Sequence, residues 1–209
     1  MAVRFAARLL LFGLFVACRS DAVKENTAGK VTESKADSGS VKNATRFQAA
    51  SAQTGTVLIL GYSTVGKISG LYGTSVEIEA RELQEPNTKS GVYGLRIQVK
   101  QGGDALEREN ASFVDYDEVE PLLAGIEFIT NTNRSSTKLQ NFQADYRTRG
   151  DLVVSTFNGE SGQIMAAVKS GEIGGASAYL TLSQLGKLKD LISAAKQQLD
   201  SVRTTPSTP

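Results

Sequence analysis

Histidine and tryptophan are absent from this chain of 209 residues, and cysteine occurs once, as Cys18. Each absence removes a class of chemistry. Without histidine there is no Ser-His-Asp or Cys-His nucleophile and no imidazole metal ligand. A single cysteine closes no intrachain disulfide and builds no thiolate zinc cluster. No apolar run reaches the roughly 20 residues that a bilayer-spanning helix needs. Carboxylate, lysine, tyrosine, serine and threonine chemistry remain, but they form no catalytic constellation. Neither a cofactor nor a metal is expected. A carboxylate-using envelope enzyme would need paired acids across a cleft, and no pair stands out. An enzyme therefore ranks behind the binding readings developed below.

With 40% hydrophobic and 22% charged residues, the chain can bury one sizeable core. Its text changes character twice. Arg4 and Arg8 precede an apolar run from Leu9 to Val16, which has the length of a signal-peptide h-region. The run ends in Phe15-Val16-Ala17-Cys18, which resembles the bacterial lipobox with Phe15 in the place usual for leucine. That resemblance implies cleavage of residues 1–17 and lipidation of Cys18, so that a lipid would hold the chain to a membrane. Arg19, rather than aspartate, follows the cysteine. In enteric bacteria this favours the outer membrane, giving an outer-membrane or cell-surface lipoprotein. Ordinary export to the periplasm or medium is the alternative.

From Arg19 to Gly55 there is no leucine or isoleucine and one aromatic, Phe47. Such a segment buries too little apolar area to offset its ordering entropy, so residues 18–55 are expected to form a disordered tether. Residues 204–209 are expected to be a disordered tail.

Between them lies a repeat. "SFVDYDEVEPLLAGIEFI" (112–129) aligns with "AYLTLSQLGKLKDLISAA" (178–195) at a constant offset of 66, matching Phe113 to Tyr179, Val119 to Leu185, Leu122 to Leu188 and Ile126 to Ile192. Apolar residues recur at 119, 122, 123, 126 and 129 and at 185, 188, 192, 195 and 199. This is the spacing of one buried helix face. The spacing of Asp117 and Glu120 predicts a capping box, Ser183 an N-cap, and Pro121 a first-turn position.

Upstream, Val76, Ile78 and Ala80 alternate with charged residues, as do Leu95, Ile97 and Val99. Segments 142–146, 152–157, 164–168 and 178–182 read as further strands. The pattern predicts an α+β domain over 56–203: about four antiparallel strands and one helix, twice (56–136 and 137–203), with helices on one face of the sheets.

This duplicated order, carried largely by "VVSTFNGESGQIMAAVKSGEIGGASAYLTLSQLGKLKDLI", is similar to that of the Whirly family and related single-strand-binding coactivators. The resemblance implies a Whirly-like fold and, as an alternative function, single-stranded nucleic-acid binding. The face it would use is read at Lys138, Phe142, Tyr146, Arg147, Arg149 and Lys169, where cations and rings interleave. Residues 56–209 carry 15 Lys+Arg against 18 Asp+Glu, a net of −3, which speaks against nucleic acid as the partner. An unidentified envelope protein or ligand is the first expectation.

Two motifs invite functional readings and lose them. Gly61-Tyr62-Ser63-Thr64-Val65-Gly66-Lys67 has the spacing of a phosphate loop. Ile68 occupies the place of the magnesium-binding hydroxyl, and a β-type alternation follows where a helix is required. This segment is read as the first strand. The acidic run Asp115, Asp117, Glu118 and Glu120 lacks the ligand spacing of a calcium loop and is read as favourable charge at a helix N-terminus.

Overall fold

The computed structural model describes residues 44–86, 90–102, 107–159 and 161–204. The expected signal peptide, Cys18 and most of the expected tether lie outside them. In chain order the elements are α1 (Arg46–Ser51), β1 (Ile59–Ser69), β2 (Ser75–Glu85), β3 (Ser90–Gln101), β4 (Arg108–Asp115) and α2 (Tyr116–Thr130). Then follow β5 (Gln143–Arg147), β6 (Leu152–Asn158), β7 (Ile164–Ser170), β8 (Ala176–Leu180) and α3 (Leu182–Thr204). The first four strands form one antiparallel sheet, A, and the last four another, B, each in sequential order. This is an α+β fold built from a duplicated unit of four strands and a helix. Among the described residues, no helix is long and apolar enough to cross a membrane.

Period-3.6 patterning places the helices. Val119, Leu122, Ile126 and Ile129 of α2 are buried, as are Leu185, Leu188, Ile192, Ala195 and Leu199 of α3. They meet Val76, Ile78, Leu95, Ile97 and Val99 from sheet A and Leu152, Val154 and Val168 from sheet B in one core. Each fully buried leucine or isoleucine contributes about 1.5–3 kcal/mol. Helix α3 packs mainly on β1 and β2 of the other unit, while α2 lies against β5 and β6 as well as β3 and β4.

Two glycines permit these crossings in mirror-image fashion. A Cβ on Gly125 of α2 would meet the Tyr146 ring of β5 at 2.1 Å, and one on Gly66 of β1 would meet Leu191 of α3 at 2.7 Å. Gly125 and Leu191 are repeat-equivalent, 66 apart. Gly66 and Tyr146 are equivalent too, since they pair with Ile78 and Val154. One crossing is small on the helix and large on the strand; the other is the reverse. The glycine that completed the phosphate-loop spacing is thus a strand residue, beside a bulge between Thr64 and Gly66, that lets α3 approach.

Four expectations are corrected. The domain begins before residue 56: α1 lies within the expected tether, with Thr45 and Phe47 buried. Its cap is a reciprocal box, in which Gln48 N donates to the Thr45 hydroxyl and Thr45 N to the Gln48 side chain. Thr204 belongs to α3 rather than to a tail. The cap of α3 is Thr181, not Ser183, with Gln184 completing the box. Finally, α2 starts at Tyr116 behind Asp115, so Pro121 sits inside the helix rather than in its first turn, and Asp117 and Glu120 form no box. The carbonyl that Pro121 leaves without a ladder partner belongs to Asp117, an exposed residue.

Candidate ligand face

Registry decides which side chains share the outer face of sheet B. Asp145 pairs with Ser155, Ser155 with Ala167, and Ala167 with Tyr179. Odd-numbered residues therefore share one face across all four strands, and even-numbered residues face the core. The odd face is a groove of about 390 Å³. Gln143, Asp145 and Arg147 line it from β5, Ser155 and Phe157 from β6, Lys169 from β7, and Ser177 and Tyr179 from β8. Asp145 accepts hydrogen bonds from the Ser155 hydroxyl at 2.7 Å and the Gln143 amide at 2.8 Å, with Arg147 at 3.8 Å.

The turn between β1 and β2 extends this face from the other unit. Leu71 N donates to the Tyr179 carbonyl at 2.7 Å, and Tyr179 N donates to the Thr74 hydroxyl at 3.2 Å. The turn holds Tyr72 at φ 56°, left-handed for a non-glycine residue, with its ring 6.0 Å from that of Tyr179, edge to face. Tyr72 is 74% exposed. Two hollows continue the groove toward the β6–β7 hairpin, of about 670 Å³ and about 880 Å³, and Phe157 lines both.

On sheet A the equivalent ring is covered, although Tyr62 on the edge strand β1 stays 68% exposed. Phe113, the counterpart of Tyr179, is stacked by Phe47 of α1 at a centroid distance of 5.0 Å and an angle of 10°. Arg81 lies 5.8 Å from the Phe113 centroid and 5.9 Å from that of Tyr62. Glu79 pairs with Arg81 at 2.7 Å and Arg96 at 3.4 Å. Asp115 anchors α1 by accepting from Arg46 N at 2.8 Å and Phe47 N at 3.2 Å. It precedes α2 but makes no side-chain bond to that helix.

The six residues expected to form a nucleic-acid face are dispersed. Arg147 and Lys169 lie on the groove. Phe142 is buried and Tyr146 packs against Gly125, because their even numbers place them on the core side. Burial, then the Glu118 charge, raises the Tyr146 pKa. Arg149 is committed to the acidic run. It lies 3.1 Å from Asp117, 3.7 Å from Asp115 and 3.4 Å from Glu118 Oε2, the last contact lacking hydrogen-bond alignment. The Asp117 hydrogen bond is the main cause of its raised pKa. Lys138 is exposed in the loop before β5. Sequence reasoning missed Phe157, Tyr179 and Tyr72. The signal for the first two was parity with Arg147 and Lys169. Compared with known proteins, the chain matches no family model, no curated protein and no solved structure.

Proposed function

We propose that the chain is a binding module of a bacterial envelope, exported and lipid-anchored through Cys18, whose ligand or partner sits on the outer face of sheet B. The observation carrying the binding part is the contrast between two repeat-equivalent faces. On one, the ring of Phe113 is covered by the chain's own α1; the other leaves Tyr179, Phe157 and Tyr72 beside Arg147 and Lys169 with no helix over them among the described residues. The anchoring part is supported by the N-terminal sequence, Arg4 to Cys18. Photo-crosslinking residues introduced at positions 157 and 179 should capture the partner in native envelopes, while crosslinkers at exposed positions of α3 should not. Equal capture from both surfaces refutes the face. Intact mass of membrane-recovered protein tests the anchor: a chain beginning at Cys18 with acyl mass supports it, and an unprocessed soluble chain excludes it.

The second reading is a single-stranded nucleic-acid binder of Whirly-like fold. The duplicated order of four strands and a helix supports it, as does the adjacency of cations and rings on one sheet face. Against it stand Asp145, which lines that face from the edge strand β5, and the net charge of −3 over residues 56–209.

A further inference from the structure

The polar groups of the groove discriminate between ligand classes. A phosphodiester backbone offers hydrogen-bond acceptors and negative charge, so its sites are lined by donors. Midway along the edge strand β5 of the sheet B face stands an acceptor, the Asp145 carboxylate, exposed at its groove side and already drawing in the Ser155 hydroxyl and Gln143 amide. Toward the β6–β7 hairpin the lining turns to amides, Gln140, Asn141 and Asn158, with Arg134 as the cation of that hollow. At the other end Arg147, Arg149 and Lys169 are offset by Glu118, Asp151 and Glu172 in a hollow of about 390 Å³. Amides, hydroxyls and a carboxylate together both donate and accept. They match a ligand whose groups also do both, the hydroxyls of a sugar. The rings of Phe157 and Tyr179 supply flat apolar surface, suited to the C–H face of a pyranose.

We infer that the ligand of the sheet B face is an uncharged glycan, a chain of pyranose rings. It rests on Phe157 and Tyr179 and is hydrogen-bonded by Asp145, Ser155 and Gln143. The inference stands on the reading of this face as a binding surface. It differs from the nucleic-acid reading in one respect that can be measured: Asp145 helps a glycan and repels a phosphate.

The test titrates the full chain with chito- and cello-oligosaccharides and with single-stranded oligothymidine, at low and high salt. Asp145→Ala, Tyr179→Ala and Lys169→Ala are compared after their folds are checked by circular dichroism. A glycan ligand predicts oligosaccharide binding insensitive to salt. Asp145→Ala and Tyr179→Ala should each weaken it by about tenfold or more, the equivalent of about 1.4 kcal/mol. Salt-sensitive oligothymidine binding that Asp145→Ala strengthens and Lys169→Ala weakens overturns the glycan but leaves the face intact. Oligosaccharide binding indifferent to Tyr179→Ala overturns the face itself. Absence of oligosaccharide binding overturns the inference. Chemical-shift changes in the unmutated chain locate the ligand without any variant, and perturbations away from residues 145, 157 and 179 would also refute the proposal.

Discussion

The two sheets share a plan, and their outer faces have opposite fates. At the repeat-equivalent positions Phe113 and Tyr179, one ring is stacked by Phe47 and the other is 37% exposed. The difference begins one turn of chain later. Thr181 caps α3 with its own side chain, whereas Asp115, 66 residues earlier, turns its carboxylate to the backbone of α1. Sheet A thus carries an anchor for a covering segment, and sheet B has spent the equivalent residue on its helix. Duplication supplies two faces, and the Asp115 carboxylate, together with the Phe47–Phe113 stack and the Arg46–Asp117 pair, holds α1 on one of them.

The largest test of that contrast is a matched pair of truncations. Phe113→Ala removes a ring held between Phe47 and Arg81 and should destabilise the domain by about 3 kcal/mol. Tyr179→Ala removes a partly exposed ring and its edge-to-face contact with Tyr72, and should cost less, about 1 kcal/mol. Urea denaturation measures both. Equal losses would mean that α1 does not distinguish the faces energetically. The reciprocal crossings give the next effect. Gly125→Ala drives a methyl group into the Tyr146 ring, at 2.1–2.6 Å from three of its atoms, and should cost about 2 kcal/mol by overpacking. Gly66→Ala meets the end of Leu191, a side chain with rotamer freedom, and should cost about 1 kcal/mol. Reversal of this order in thermal melts would break the mirror relation.

The helices were legible because burial of one stripe imposes a period of 3.6 whatever surrounds it; Ala195 and Leu199 follow it as faithfully as Leu185. The strands were legible for the same reason at period 2. Two things were not. Which sheet each helix covers is a long-range matter, and its trace is confined to single residues such as Gly66 and Gly125. The face of a strand residue flips with each step along the chain, so grouping Phe142 and Tyr146 with Arg147 and Arg149 mixed core with surface. The helix α1 has six residues, too few for periodicity to register in a segment without leucine or isoleucine. Its one local signal was Thr45 with Gln48, the same Thr-x-x-Gln box that starts α3 at Thr181.

That shared box predicts a smaller effect. Thr181→Ala leaves donors at the start of α3 unsatisfied and should cost about 1 kcal/mol. Since the hydrogen bonds of the Thr181 side chain run to Gln184, hydrogen exchange at Arg46 and Phe47 should be slowed as strongly in the variant as in the parent. Asp115→Asn should do the converse, speeding exchange at those two amides while leaving the first turn of α3 protected.

The smallest effect concerns a clasp that the repeat does not reproduce. Tyr116, at the start of α2, donates its hydroxyl to Asp200 near the end of α3, and Lys196 lies 2.9 Å from the same carboxylate. The Arg203 guanidinium covers the Tyr116 ring at 3.7 Å. The repeat-equivalent residues are Leu182 and Arg134, which can form no such bond. The Tyr116 hydrogen bond, then that of Lys196, holds Asp200 below its ordinary pKa of 3.8. A carboxylate whose pKa is lowered by folding stabilises the fold above its unfolded value, and that contribution disappears as pH falls through the folded value. Stability should therefore decline on acidification below about pH 4, and Asp200→Asn should flatten that decline while barely changing stability at neutral pH. Because the group is exposed to solvent, the whole contribution is small and should shrink further in salt. An acid limb unchanged by Asp200→Asn would place the pH dependence elsewhere, first at Glu127, which Lys189 and Asn131 also hold below its ordinary value.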